Sequence, residues 1–301
     1  MSNKRLSRLE FDVLTAIYEG SDCDFSCDAQ KDVAKRFAQE GLIDDKGITA
    51  LGLEALEPYK VQRAVIMAAG FGSRLVPITI NTPKPLVRVN GTRIIDTVID
   101  ATIKAGIEEI IIIRGYLGEQ FDQLLYKYPN LKFIENSMYN KANNISSMVC
   151  ARSLLKNAYV MEADLYLSNF GLIKKYQYCS NFLGIETDYS DDWCFFVKDG
   201  IIRTQVTNGN ESKKDLRAGE KLYQEVGISY WSYEDGIKLE QHLIDVYERP
   251  DGKNRYWDQV PFVDFGNEYK VDIRPCEKTD IVEIDSYKEL VMIDGRYAVK
   301  N

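Results

Sequence analysis

From residue 64 onward the apolar positions switch repeatedly between solid runs of strand length and stripes spaced three and four apart. The runs predict strands over 64–69, 109–114, 131–135 and 158–163, and the stripes predict helices over 94–105, 119–127 and 145–155. Four consecutive isoleucines, Ile110 to Ile113, suit a strand covered on both faces. Such alternation implies right-handed βαβ units, hence an α/β fold with a mostly parallel sheet and helices on both sides. After Asn169 the pattern turns strand-rich and aromatic, with strands over 195–198, 201–206 and 227–231, a polar loop over 208–219 and a helix over 233–247. Neither repeats nor low-complexity tracts interrupt it.

The first sixty residues read differently. Leu9, Val13, Leu14 and Ile17 give helical spacing across 6–18, a second helix covers 29–40, a short β-wing 42–49, and a closing helix 51–59. A domain at 1–60 followed by one at 61–301 is the expected organisation. The order of the small domain resembles a winged helix, and Ile48 to Gly52 is similar to the wing-to-helix turn of bacterial regulators. Through Lys60, however, eight Lys/Arg face twelve Asp/Glu, and Asp22, Asp24, Asp28, Asp44 and Asp45 oppose an approach to phosphates. A packing, dimerisation or regulatory module is expected rather than a DNA reader, and a homodimer stays open.

Composition narrows the chemistry. With 301 residues, 45% of them hydrophobic, a sizeable core needs no staples, and the net charge of −8 disfavours broad nucleic-acid binding. No apolar run approaches the roughly 18 residues of a membrane span, and the first twenty residues are too charged for a signal peptide. Of six cysteines only Cys23 and Cys27 lie close, at a spacing that fits neither a zinc knuckle nor a redox motif, so reduced thiols in a cytoplasmic protein are expected. His242 is the only histidine, read as a surface residue of its helix. Histidine-dependent triads and multi-His zinc sites are thereby set aside, and any metal must be held by carboxylates, as Mg²⁺ is.

The most informative segment is Ala68-Ala69-Gly70-Phe71-Gly72-Ser73-Arg74-Leu75, then Thr82-Pro83-Lys84-Pro85-Leu86. Glycines after a strand let backbone N–H groups approach phosphate oxygens, and Arg74 and Lys84 add positive charge. The prolines hold Lys84 in an extended frame. The segment fits neither the G-x-x-x-x-G-K-S/T phosphate loop nor the three-glycine dinucleotide fingerprint.

It resembles the signature of nucleotidyltransferases that join a nucleoside triphosphate to a phosphorylated acceptor. From about Arg63 onward the chain is similar to bacterial CTP:phosphocholine cytidylyltransferases. The likeness continues through Gly115-Tyr116-Leu117-Gly118-Glu119-Gln120-Phe121, Asn143-Asn144 with Ser146-Ser147, Glu162-Ala163-Asp164, Asp192-Trp193, Tyr256-Trp257-Asp258 and Glu283-Ile284-Asp285. A Rossmann-like nucleotidyltransferase sheet and Mg²⁺-dependent transfer of CMP from CTP to phosphocholine, or a close phospho-amino-alcohol or aminoalkylphosphonate, are what this resemblance implies. Asp164 and Asp285, each at a strand end, are then the expected metal ligands, joined by Glu283 on the same face of its strand. Glu162 departs from the aspartate expected first in its motif. Asp285 also stands next to a helix start, where a capping role competes.

Arg74 is expected on the β- and γ-phosphates, and Lys84 on the α-phosphate and the acceptor. Ala68, Ala69, Gly70, Gly72, Ser73, Asn143 and Asn144 are expected around the nucleotide. A quaternary ammonium donates no hydrogen bonds and is recognised by aromatic faces with a carboxylate. Trp193, Tyr256 and Asp258 fall on the family's choline-pocket motif, and Tyr230 and Trp257 are further ring candidates. A sugar-1-phosphate nucleotidyltransferase is the rival enzyme, and a nucleotide-sensing transcriptional regulator is the rival from another class.

Overall fold

The computed structural model describes residues 5–20, 25 and 27–298. Asp22, Cys23 and Asp24 lie outside the described residues. The chain forms two compact units, one of Met1–Val61 with Tyr176–Tyr178, the other of Gln62–Lys175 with Cys179–Asn301. No helix among the described residues is long and apolar enough to cross a membrane.

The small unit contains helices Arg8–Tyr18, Asp28–Gln39 and Ala50–Leu56, with an Ile43–Asp44/Gly47–Ile48 hairpin between the last two. Ser7 and Glu10 close a capping box on the first helix, satisfying backbone donors that its start would otherwise leave unpaired. Val13, Leu14, Phe37, Leu56 and Tyr59 are buried together, and Tyr176 joins them. This core therefore draws on a segment more than a hundred residues downstream, which no reading of the first sixty positions contains.

The large unit is built on nine strands: β1 (Arg63–Ala68), β2 (Glu109–Arg114), β3 (Lys132–Glu135), β4 (Ala158–Glu162), β5 (Asn181–Glu186), β6 (Cys194–Lys198), β7 (Ile201–Val206), β8 (Glu220–Trp231) and β9 (Asp272–Pro275). Their order across the sheet is β5-β9-β7-β6-β8-β4-β1-β2-β3. β4, β1, β2 and β3 run parallel, as the early βαβ alternation requires. β8 joins β4 antiparallel and also pairs with β5 and β6, so the later half of the sheet is mixed. The solid isoleucine run of β2 lies in the parallel half and is buried from Ile110 to Ile113.

Two expected helices are reshaped. Gly118–Tyr126 is a 3₁₀ helix, anchored by Phe121 and Leu124, whose three-residue spacing matches three residues per turn. The helix starting at Ile145 leaves α geometry after Ala151 and continues as a 3₁₀ turn, Arg152–Leu154. The expected 208–219 loop holds a short turn of helix, Gly209–Ser212.

The main core packs Phe182, Phe195, Trp231, Leu239, Leu243, Val246, Trp257 and Phe262 between the mixed sheet and the Tyr233–Tyr247 helix. His242 is not a surface residue. Its ring stacks on Phe265 with 3.7 Å between centroids, its Nδ1 lies 2.7 Å from the Tyr269 hydroxyl, and its side chain is only 13% exposed. Trp231 sits at the centre of the aromatic packing, fully buried, with its indole N–H donated to Ser229 Oγ at 3.0 Å. Replacing it with alanine should cost about 3–5 kcal/mol, read as a lower urea midpoint at unchanged slope. A loss under about 1 kcal/mol would show that this core tolerates the cavity.

Candidate active site

β1 and β4 are parallel neighbours, with Met67 level with Glu162. Both therefore end at the same edge, where ligands of open α/β sheets bind. The chain leaving β1 turns at Gly72, in left-handed backbone at φ +69°, where a Cβ would come within 2.9 Å of Lys84 Cβ. The glycine thus lets the loop lie directly against Lys84. The next turn, Ser73–Leu75, is pinned by fully buried Leu75, leaving the Arg74 side chain 70% exposed above the cleft. From the other side Tyr116 donates its backbone N–H to Ala69 O and its hydroxyl to Ile80 O, and Phe71 meets the Tyr116 ring edge-on.

The carboxyl-terminal segment reaches this edge through a second, two-stranded pairing. Ile281–Glu283 runs antiparallel to Leu165–Leu167, with Glu283 opposite Leu165, and Ile284 N–H donates to Asp164 O. That register brings Asp285 beside Asp164. Lys84 Nζ donates to both, at 2.6 Å to Asp164 Oδ2 and 2.5 Å to Asp285 Oδ1, and Arg74 Nη2 lies 2.6 Å from Asp285 Oδ2. Ser286, rather than Asp285, caps the following helix, in a capping box with Glu289. Burial alone would favour neutral Lys84, but Asp164 and Asp285 outweigh it and hold the ammonium charged, above the ordinary lysine value.

One oxygen each from Glu162, Asp164 and Glu283 lies within 4.8 Å of the others. Asp164 Oδ1 is buried and accepts no hydrogen bond. A hard divalent cation suits such an oxygen set. Without one the acids repel. Burial, then Asp164, Glu283 and Asp258, push the half-buried Glu162 well up, and burial, then Asp164 and Asp285, push Glu283 up to about 8. Part of Glu283 still faces cleft solvent, yet protein atoms crowd it on its other sides.

The cleft encloses about 380 Å³ and is lined by Ala68, Ala69, Gly70, Gly72, Ser73, Arg74, Lys84, Asn143, Asn144, Glu162, Asp164, Glu283 and Asp285. The expected nucleotide, cationic and acidic residues thus share one cavity. The asparagines are tied to the 253–257 loop rather than capping a helix: Asn143 Nδ2 donates to Asn254 O, and Asn144 Oδ1 accepts from Trp257 N.

Trp193, Tyr256 and Asp258 lie outside that lining, in an adjoining cluster. The Trp193 and Tyr256 rings are 4.9 Å apart, and Glu225 N–H donates to Trp193 O. Glu162 connects the two regions, being repelled by Asp164 and Glu283 on one side and Asp258 on the other. Asp192 is raised by burial and then by Asp285 and Glu289, which places the start of β6 beside the Arg74–Asp285 pair.

Two expected acceptor rings are corrected. Tyr230 is buried beside Tyr159, with its hydroxyl on Asn157 Oδ1, because the antiparallel register of β8 carries it to the start of β4, away from the cleft. Trp257 is buried against Phe182 and Trp231. Sequence reading also missed Asn136, which lines the cleft and holds Ser146 and Ser147 at 2.9 and 3.0 Å, and missed Gln205 and Glu225.

A strand-end loop with a cationic pair facing carboxylates across one cleft defines a nucleotidyltransferase, and the Nucleotidyl transferase family matches residues 63–174. The chain is 36% identical over 237 residues to 2-aminoethylphosphonate cytidylyltransferase of Lancefieldella rimae, covering 78% of this chain and 92% of that protein. It is 34% identical over 227 residues to choline-phosphate cytidylyltransferase of Streptococcus pneumoniae, covering 75% and 94%. The solved CTP:phosphocholine cytidylyltransferase from Streptococcus pneumoniae superposes with a TM-score of 0.69 at 30% identity, over 79% of this chain and 99% of that one. UDP-glucose pyrophosphorylase, with a TM-score of 0.60 at 15% identity, shares the fold. The chain belongs to the cytidylyltransferase family.

The acid cluster yields a test of cation binding. Glu283 is raised from 4.5 to about 8 in the fold, so its contribution to stability is full below the lower value and is lost as pH climbs through the upper one. A bound cation favours the ionised form and opposes that loss. MgCl₂ should therefore raise Tm more at pH 8 than at pH 6, at matched ionic strength in a dye-based melt. An increment that shrinks with pH would remove the cation from these carboxylates.

Proposed function

We propose that the enzyme transfers CMP from CTP to the phosphate or phosphonate of a small acceptor ending in a cationic nitrogen, phosphocholine or a close analogue, and releases pyrophosphate. The observation carrying this reading is Lys84, buried between Asp164 and Asp285 with Arg74 at the cleft mouth, next to the Trp193–Tyr256 ring pair. Two relatives support the acceptor class through their names, one a phosphonate and one a phosphate ester, each with a terminal amine or ammonium.

An acceptor phosphoryl oxygen attacks the α-phosphorus. The new P–O bond forms as the bond to the bridging oxygen of the pyrophosphate breaks, and that oxygen takes the electron pair. A phosphoryl oxygen is already anionic, so no general base is required, in keeping with a cleft that holds no histidine. Catalysis then consists of bringing two anions together in line and offsetting charge on the leaving group. Lys84, fixed by two carboxylates, would meet the α-phosphate and the attacking group, and the more exposed Arg74 would meet the β- and γ-phosphates. Ala68, Ala69 and Gly70 would provide backbone for a base to lie on, and Asn143 and Asn144 line the same cleft. A divalent cation held by Asp164, Asp285 and Glu283 would offset negative charge on the triphosphate.

Two measurements test the reading. A pyrophosphate-release screen of the four common nucleoside triphosphates against phosphocholine, phosphoethanolamine, 2-aminoethylphosphonate and glucose 1-phosphate should show turnover with CTP and the nitrogenous acceptors. Activity confined to the sugar would replace this function with a sugar-1-phosphate transfer. Asp164→Asn should lower kcat by on the order of 10²–10³ with an unchanged circular dichroism spectrum, and near-normal kcat would place Asp164 outside the reaction.

A further inference from the structure

Beside the reaction cleft, three side chains converge with hydrogen-bonding capacity left over. Gln205, on β7, is 5% exposed, and its amide Nε2 donates to Glu225 Oε2 at 2.7 Å and to Asp258 Oδ2 at 2.6 Å. The same amide's Oε1 is buried and accepts nothing. A buried carbonyl oxygen without a donor is uncommon and costly. Among the described residues no lysine or arginine ion-pairs with Glu225 or Asp258; the charged groups facing them are each other and Glu162. A ligand entering here meets acceptors on several sides.

We propose that Gln205 selects a primary ammonium at the far end of the acceptor, its Oε1 taking one N–H while Glu225 and Asp258 take the others. This rests on the function proposed above and names the acceptor within it. A primary ammonium carries three donors, enough to satisfy the orphaned oxygen and both carboxylates. A trimethylammonium carries none and leaves Gln205 Oε1 unsatisfied, with three methyl groups pressed against it. The rings point the same way. Tyr230 and Trp257 lie in the core, so Trp193 and Tyr256 provide two walls rather than the enclosing cage a quaternary ammonium favours. The backbone bond from Glu225 N–H to Trp193 O holds the two residues side by side. Glu162 is repelled by Asp258 of this cluster and by Asp164 of the cleft, so an ammonium at the cluster would leave the acceptor's phosphoryl group toward the cleft.

The test uses the full chain with CTP and two matched pairs: 2-aminoethylphosphonate with its N-trimethyl derivative, and phosphoethanolamine with phosphocholine. Each amine should exceed its trimethylated partner about tenfold or more in kcat/KM, because a site built for an N–H discriminates strongly against an analogue lacking it. Equal rates, or preference for the trimethylated member, overturn the inference and leave the proposed function standing. Silence with all four acceptors ends both. In Gln205→Met, which keeps length but loses the amide, both its oxygen and its N–H donors to Glu225 and Asp258, the amine KM should rise about tenfold, the CTP KM should hold, and the amine preference should fall towards one. A preference that survives in this variant removes Gln205 from selection. If the variant fails to fold, equal rates on the wild-type pairs still overturn the inference.

Discussion

The Lys84 ammonium, buried between Asp164 and Asp285, connects three parts of the chain that are distant in sequence, its partners lying 80 and 201 positions away. Each depends on the others. The side chain is 8% exposed, so its charge is tolerated only because both carboxylates meet it. Removing one partner from a buried pair typically costs about 3–5 kcal/mol. Those carboxylates in turn arrive by different routes, Asp164 from the end of β4 and Asp285 through the Ile281–Glu283 pairing with Leu165–Leu167. The carboxyl-terminal strand is therefore a wall of the cleft. Gly72 completes the arrangement by letting the β1 loop close onto the Lys84 stem.

One ammonium and one exposed guanidinium do not balance this region. Glu162, Asp164, Glu283 and Asp285 stand against Lys84 and Arg74, and beyond Glu162 come Glu225 and Asp258. Acidic side chains extend from the mouth of the cleft to the buried amide of Gln205. Crowding of this kind is destabilising in isolation and is kept where charge of opposite sign arrives with a ligand. On the function proposed here, the sign changes along the path: cationic side chains meet the triphosphate, acids accept a divalent cation, and the acids beyond Glu162 accept the nitrogen of the acceptor. Cytidylyl transfer joins two anions, and a cationic far end draws one of them in by an attraction the nucleotide cannot share.

The reaction edge was legible in the sequence because its elements are local. A solid apolar strand, a glycine turn, a proline-framed lysine and aspartates closing apolar runs each carry their signal within a few residues, and parallel strand ends must meet at one edge. The acceptor side was less legible because strand direction and register decide it. Aromatic composition cannot tell Trp193, beside the cleft, from Trp257, packed on Phe182, or from Tyr230, carried to the far end of β4 by the antiparallel run of β8. Gln205 and Glu225 lie on different strands and meet only through the folded sheet. Tyr176 in the small unit is hidden for the same reason, since its partners are more than a hundred residues upstream.

Glu162, where an aspartate was expected, has a structural reason in its neighbour on β8. Gly227 adopts left-handed backbone at φ +68°, and a Cβ built there would lie 2.8 Å from Glu162 Oε2. The glutamate therefore extends across a bare α-carbon. The glutamate carboxylate is repelled both by Asp164 and Glu283 and by Asp258 of the Gln205 cluster. Opposite charges brought to the two sides would each lower that repulsion.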